Sequence, residues 1–387
     1  MDPFTYSYPV KVYFGGKAAL QHLPSELQRA GGTVLLAYGG GSIKKAGIYD
    51  ELLSMLEAAG KKVVEFNGIM PNPTYAKVQE GAKLAKENAV DLILAAGGGS
   101  VIDCCKVISA QAKLDADIWD YEYSERKMPS AFIPMGAIVT AFGTGAEMNN
   151  GAVITHEEKR LKSPLFGAYY DFAVLDPAYT MSMPMKQVLS GSFDALSHCM
   201  ETYMGSPRDI NLSDEINEAC QRNIIRNLRA TLKDPKDAKA RSELVWAAAM
   251  AENGMLKTGK KTDFQAHMLE HQLGAYTDCN HGHGLAVIHP VLYRHMLPEA
   301  QKQFSRLATA VWGIPGESKT EAELAQAFVD ALESFIREIG MPSTLREMGI
   351  PQETDLKAIA DSTMLMPGCC KTFTHEALHD VLKECAG

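Results

Sequence analysis

Between Asp194 and His283 the chain gathers residues that could hold a metal ion. Three short stretches carry them: Asp194-Ala-Leu-Ser-His198, His267-Met-Leu-Glu-His271 and His281-Gly-His283-Gly. Asp194 and His198 are four positions apart, as are His267 and His271, a spacing that stacks side chains on one helix face about 5–6 Å apart. One carboxylate with imidazoles and no thiolate suits Fe(II), Zn, Mn, Co or Ni. Such an ion acts as a Lewis acid on a carbonyl or alcohol oxygen and lowers an alcohol's pKa. Spacing alone leaves His267, His271, His281 and His283 in competition as ligands. Glu201 and Glu270 read as ordinary helix carboxylates, with outer ligation the alternative, and Cys199 and Cys279 as buried thiols.

The elements that must position these groups fall into two kinds. The first half alternates apolar runs with amphipathic helices. Thr33–Tyr38, Val63–Phe66 and Asp91–Ala96 are expected strands, Ala131–Met135 and Ala173–Asp176 two more, and Ala137–Ile154 a loop-rich stretch. Continuous apolar strands separated by helices indicate a Rossmann-like parallel sheet covered on both faces. Beyond Pro184 the period changes to 3.6 residues. Helices are expected over Met185–Tyr203, Leu212–Leu232, Asp237–Met255, Asp263–Leu273, Pro298–Val311, Thr320–Ile339, Thr354–Ser362 and His375–Glu384. Thr320 with Glu323 forms a capping-box signature. The fold class is therefore α/β plus all-α, with an α/β unit over 1–182 and a helical metal-binding unit over 183–387.

Two of the expected strands end in the same tetrapeptide, Gly39-Gly-Gly-Ser42 and Gly97-Gly-Gly-Ser100. In an open α/β sheet that edge is where ligands bind, glycine permits close backbone approach, and helix N-terminal amides favour phosphate. Neither copy is the G-x-G-x-x-G of the standard dinucleotide fingerprint. The second copy, Gly97-Gly98-Gly99-Ser100-Val-Ile-Asp103, is the better pyrophosphate candidate, because a long helix follows it at once. After the first copy no carboxylate follows the strand, and Lys44 and Lys45 lie just beyond Ser42. That combination suits a 2′-phosphate and favours NADP(H) over NAD(H). Thr140 to Gly145 is a polar, small-residue loop of the kind that could face a nicotinamide or substrate.

Bulk composition excludes several classes. At 387 residues with 46% hydrophobic and 22% charged residues, the chain reads as an ordinary globular protein. A net charge of −9 without a Lys/Arg stripe argues against nucleic acid and anionic membranes as partners. The eight cysteines form no CxxC pair and are expected to be reduced in a cytoplasmic protein. Met1–Val12 lacks the basic start and apolar run of a signal peptide.

Together the YGGGSIKKAG, PNP, GGGSVIDCCK, VTAFGTGAEMN, DALSHCMETY and HMLEH…HGHGLA stretches make the chain resemble the iron-dependent (group III) alcohol dehydrogenases. Within them it looks most similar to the butanol dehydrogenase and broad aldehyde reductase branch. The resemblance implies a dehydroquinate-synthase-like two-domain fold, an active site in the cleft and a homodimer. It implies Asp194, His198, His267 and His281 as metal ligands, with His271 left beside nicotinamide and substrate as a proton-relay group. Cofactor contacts map onto Gly40, Gly41, Ser42, Asn72, Gly98, Gly99, Ser100, Asp103, Thr140, Thr144 and Lys162. The family's NAD-preferring members often carry an acid where this chain has Gly39 or Gly40. The expected reaction is hydride transfer between NADP(H) and a small primary alcohol or aldehyde. A polyol or sugar-phosphate pocket served by Lys257, Lys260 and Lys261 is one rival. A metal-loaded binding or sensor protein without turnover is the other.

Overall fold

A computed structural model describes all 387 residues. Packing divides the chain into two compact units, Ser7–Pro184 and Met185–Gly387, with Met1–Tyr6 joined to the second. An α/β unit beginning at residue 1 thus needs one correction. The Asp2 amide donates to the Gly259 carbonyl at 3.1 Å, which ties the first residues to the helical unit.

The α/β unit is built on six parallel strands: β1 (Lys11–Phe14), β2 (Thr33–Tyr38), β3 (Lys62–Phe66), β4 (Leu92–Gly97), β5 (Met135–Val139) and, after an antiparallel hairpin of β6 (Gly151–His156) and β7 (Leu161–Phe166), β8 (Phe172–Leu175). Their order is β1-β8-β5-β4-β2-β3. The central strands β4 and β5 are buried throughout, as a sheet covered on both faces requires. Helices α1 (Ala18–Arg29) and α3 (Ile48–Ala58) share one apolar cluster with the sheet through Leu23, Leu27, Leu52 and Leu56. Between them lies the short α2 (Ser42–Lys45), and α4 (Tyr75–Glu87) packs with α5 (Gly99–Gln111).

The chain runs outward from β2 to β3, then returns to β4 and continues outward on the other side to β5, so the strand order reverses between β2 and β4. Register pairs Tyr38 with Ala96 and Gly97 with Val139. Both GGGS loops and the loop opening at Thr140 therefore leave one sheet edge side by side, at the switch point where open α/β sheets bind ligands.

Strand β5 is displaced from the expected Ala131–Met135. Pro134 has no amide to donate to a ladder, and the Ile133 amide donates to Ser109 O of α5 instead. The expected loop over 137–154 holds most of β5 and the first part of β6.

The helical unit comprises α6 (Met185–Tyr203), α7 (Leu212–Lys233), α8 (Ala238–Glu252), α9 (Gln265–Thr277), α10 (His281–Ala310), α11 (Glu321–Glu338), α12 (Leu356–Ser362) and α13 (His375–Ala386). Every residue of α6 from Val188 to Tyr203 is buried, so it is the central helix of its unit. The Thr320–Glu323 capping box is present at the start of α11. The helix expected from Pro298 is the second half of α10, which runs through Pro290 and Pro298 and begins at His281, capped by Asn280. No helix is long and apolar enough to cross a membrane.

Candidate metal centre

Asp194, His198 and Glu201 occupy i, i+4 and i+7 on α6 and so share one face. His267, Glu270 and His271 lie on α9, and His281 is the first residue of α10. The glycines of His281-Gly-His283-Gly explain how the third helix comes so close. A Cβ on Gly282 would run into the Ser190 carbonyl of α6, and one on Gly284 would meet Glu270 Cγ of α9 at 2.8 Å. Ser190 Oγ also donates to the capping side chain of Asn280 at 2.7 Å.

Three ring nitrogens surround the Asp194 carboxylate. Asp194 Oδ1 lies 3.7 Å from His198 Nε2, 3.5 Å from His267 Nε2 and 3.4 Å from His281 Nε2. Tetrahedral ligands at about 2.0–2.2 Å from a common ion stand roughly 3.3–3.6 Å apart. Asp194 Oδ1 stands at that spacing from His267 and His281, with which it forms a compact donor trio, while His198 lies slightly farther off and outside that trio. Asp194 Oδ1 and His267 Nε2 are buried without a hydrogen-bond partner, a costly arrangement that coordination relieves. The residues fit an ion.

Geometry separates the competing histidines. His283 is two residues beyond His281, about 200° around the helix. It is half-buried, and its own backbone amide donates to the Asn280 cap. His271 is buried, with its ring centroid 6.0 Å from that of His267 and 5.6 Å from that of His281. Glu270, His271 and His281 also form a compact donor trio. In that trio Glu270 Oε2 is already engaged, accepting from His281 Nδ1, whereas Asp194 Oδ1 has no hydrogen-bond partner.

That bond is one of two that composition and spacing did not reveal. His267 Nδ1 donates to Glu201 Oε2, and Glu201 Oε1 accepts the Ala266 amide at 2.7 Å. Each carboxylate fixes its ring with Nε2 turned to Asp194 Oδ1 and raises its basicity. Glu201 and Glu270 are therefore more than ordinary helix carboxylates. His198 lacks such a partner, and its Nδ1 is buried alone.

Electrostatics follow from this arrangement. Burial pushes the Asp194 carboxyl up, but His198, His281 and His267 hold it well below the usual carboxylate range. Burial depresses His267, yet Glu201 and Asp194 carry it up to about 10. Below that pH the ion-free ring keeps a proton that an incoming ion must displace. Ion affinity is thus expected to rise with pH through neutrality, by roughly tenfold per pH unit for each proton displaced. Chelator-competition titrations at several pH values check this; a flat profile would mean that the ring is already proton-free.

In the α/β unit the loops at the switch point are close-packed. A Cβ on Gly99 would run into Thr144 Oγ1, and one on Gly98 would meet the Ala141 Cβ at 3.0 Å. Gly98, Gly99, Ser100, Thr140 and Thr144 are half-exposed around the first turn of α5, whereas Gly40, Gly41, Ser42 and Lys44 are exposed. Asn72 adopts a left-handed φ of 50° between two prolines. Thr155, the register partner of Lys162, donates its amide to Pro73 O at 2.9 Å, so the β6–β7 hairpin docks beside Asn72. Asp103 Oδ2 accepts the Val153 amide of β6 at 2.9 Å.

Two of the three lysines offered for a polyol or sugar-phosphate pocket are engaged within the helical unit. Lys257 pairs with Glu252 at 2.7 Å, and Lys260 pairs with Asp214. All eight cysteines are free, and burial raises the thiols of Cys104, Cys105 and Cys385.

Comparison with known proteins supplies the remaining context. Residues 9–177 match the family model described as iron-containing alcohol dehydrogenase, and residues 188–386 match that of the Fe-containing alcohol dehydrogenase family, C-terminal. The chain is 38% identical over 358 residues to an NADH-dependent butanol dehydrogenase B of Clostridium acetobutylicum, covering 91% of each. It is 35% identical over 354 residues to an NADPH-dependent aldehyde reductase of Escherichia coli, covering 90% of each. Among solved structures, an NADH-dependent butanol dehydrogenase A of Thermotoga maritima superposes with a TM-score of 0.93 at 32% identity, covering 100% of this chain and 99% of that one.

Proposed function

The chain belongs to the iron-containing alcohol dehydrogenase family, and from that premise we propose that it interconverts short primary alcohols and aldehydes by metal-assisted hydride transfer with NADP(H) in preference to NAD(H). The observation that carries this reading is the convergence of Asp194 Oδ1 with three imidazole Nε2 atoms, two of the four donors being buried without a partner. Bound there, a divalent ion, Fe(II) by the family, supplies Lewis acidity toward an alcohol or carbonyl oxygen. A nicotinamide cofactor supplies or accepts the hydride.

The chain's own groups do the rest. Asp194 contributes the single anionic donor, while Glu201 and Glu270 keep His267 and His281 oriented. His271 lies beside the cluster rather than within it. In the oxidative direction it takes the hydroxyl proton as the hydride leaves carbon, and in reduction it returns that proton. The first-turn amides of α5 and the GGGS loops receive the pyrophosphate. Gly40, Gly41 and Ser42 offer no carboxylate to repel a 2′-phosphate, and Lys44 supplies a cation. Asn72, Thr140, Thr144 and Lys162 stand at the same sheet edge or on the hairpin docked beside it. Asp103 acts indirectly, by tying α5 to β6.

The engagement of Lys257 and Lys260 in ion pairs favours a small uncharged substrate over a phosphorylated one. The test is an assay of metal-quantified protein with NADPH and NADH across a series of short aldehydes. Loss of nicotinamide absorbance with butanal-sized substrates is expected. No turnover with any of them, at full metal occupancy, would overturn the reading.

A further inference from the structure

Beneath the first glycine-rich loop lies a charged cluster with no part in the hydride step. Glu65 of β3 is in register with Leu36 of β2, so its side chain shares a sheet face with Tyr38, the last residue before Gly39. The Glu65 carboxylate accepts hydrogen bonds from the Tyr38 and Tyr49 hydroxyls, each at 2.6 Å. Lys44 Nζ stands 3.7 Å from Glu65 Oε2 and lies over both rings, 5.2 Å from the Tyr38 centroid and 4.2 Å from that of Tyr49. The side chains of Lys44 and Glu65 are 48% and 41% exposed, within reach of a ligand on the loop.

An ordinary surface ion pair joins two mobile side chains and contributes little. Here the carboxylate is pinned by two phenols, and the ammonium is seated on two aromatic faces. The tyrosine hydroxyls, with Lys44, hold Glu65 below the usual carboxylate range, so the anion persists at neutral pH. Lys44 is one of the two cations that follow the loop where a 2′-phosphate would enter, and a fixed anion already stands beside it. A nucleotide with free ribose hydroxyls presents no charge to compete for that ammonium, whereas one with a 2′-phosphate must share it with Glu65.

We propose that Glu65, acting through Lys44, sets the balance between NADH and NADPH and holds back the preference that Lys44 would otherwise confer. This rests on the reading of the GGGS loops as the nucleotide site. Glu65 is in this sense a positioning residue, since it acts on the cation and not on the cofactor.

The experiment is fluorescence titration of the metal-loaded protein with NADH and with NADPH, read as the ratio of the NADH Kd to the NADPH Kd. Glu65→Gln is expected to raise that ratio about three- to tenfold, and Lys44→Met to lower it. In a Lys44→Met background the Glu65→Gln effect should largely vanish, and in wild-type background it should shrink as salt is added. An unchanged ratio in Glu65→Gln overturns the proposal, as does a shift of the same size with Lys44 removed. If Glu65→Gln does not fold, Lys44→Met still decides, because methionine keeps the length and apolar contacts of the half-exposed lysine stem, and an unchanged ratio there also overturns the proposal. A wild-type protein that binds neither nucleotide overturns the parent reading instead.

Discussion

Asp194→Ala is expected to abolish stoichiometric ion binding and, with it, at least about 10³-fold of kcat/KM, because the ion's Lewis acidity is worth several kcal/mol to the reaction. Asp194 is the only anion among the four donors, and its Oδ1 is the atom within 3.4–3.7 Å of all three imidazoles. Alanine leaves three neutral rings around a divalent charge. The fold should survive, since the side chain shrinks and His267 and His281 keep their carboxylate partners on the far side. Metal analysis after dialysis, together with melting of metal-free wild type and variant, separates loss of ligation from loss of fold. Asp194→Asn, isosteric and uncharged, serves as the second variant. Full metal occupancy in the alanine variant would remove Asp194 from the ligand set.

Glu201→Gln is expected to weaken ion binding about 10- to 100-fold, the usual loss when a partner behind a metal-bound imidazole is removed. Glu201 uses both oxygens, one for His267 Nδ1 and one for the Ala266 amide at the start of α9. Glutamine has a single acceptor and must abandon one of them. If it keeps the amide, its NH₂ faces the Nδ1–H and the ring loses its orientation; if it keeps the ring, α9 loses a cap. Either way one of the two charges that raise His267 is gone, so the pH dependence of ion binding should flatten as affinity falls. A merely structural carboxylate would lower the melting temperature without moving that profile. Wild-type ion affinity at every pH in Glu201→Gln would show that the carboxylate only anchors the helix. Glu270→Gln is the matched comparison behind His281.

Much of this architecture is legible in the sequence because burial leaves a period. Strands β2 and β4 are continuous apolar runs since both faces are covered, and α6 is visible from Met185 to Tyr203. What escaped has physical reasons. Strand β1 is only four residues long, at a sheet edge and never fully buried, a run too short to carry a period. The start of α10 is obscured by two glycines near its N-terminus and two prolines farther in, residues that normally argue against helix. Those prolines sit where the ring costs a ladder bond, yet burial of α10 against α6, α9 and α11 sustains it.

The candidate centre divides in the same way. Helical spacing places Asp194 with His198, but it carries no information about which helix faces which. The division of roles among His267, His271, His281 and His283 rests on family resemblance; the structure adds that His267 Nε2 and His281 Nε2 lie 3.5 and 3.4 Å from Asp194 Oδ1. The sequence singles out Glu201, but not its pairing with His267. A carboxylate seven residues after Asp194 acquires meaning only when α9 delivers an Nδ1 to it.

The approach of Gly282 to the Ser190 carbonyl sets how the centre tolerates sequence drift. There the separation of His281 from Asp194 is governed by two main chains in contact, with no intervening side chain to be exchanged. Substitutions that repack the surrounding core can accumulate without detuning the ligand spacing. Any residue larger than glycine at position 282 pushes the two helices apart. The centre is thus insulated from the commonest kind of mutation and sensitive chiefly at the two glycines, 282 and 284, where the helices meet.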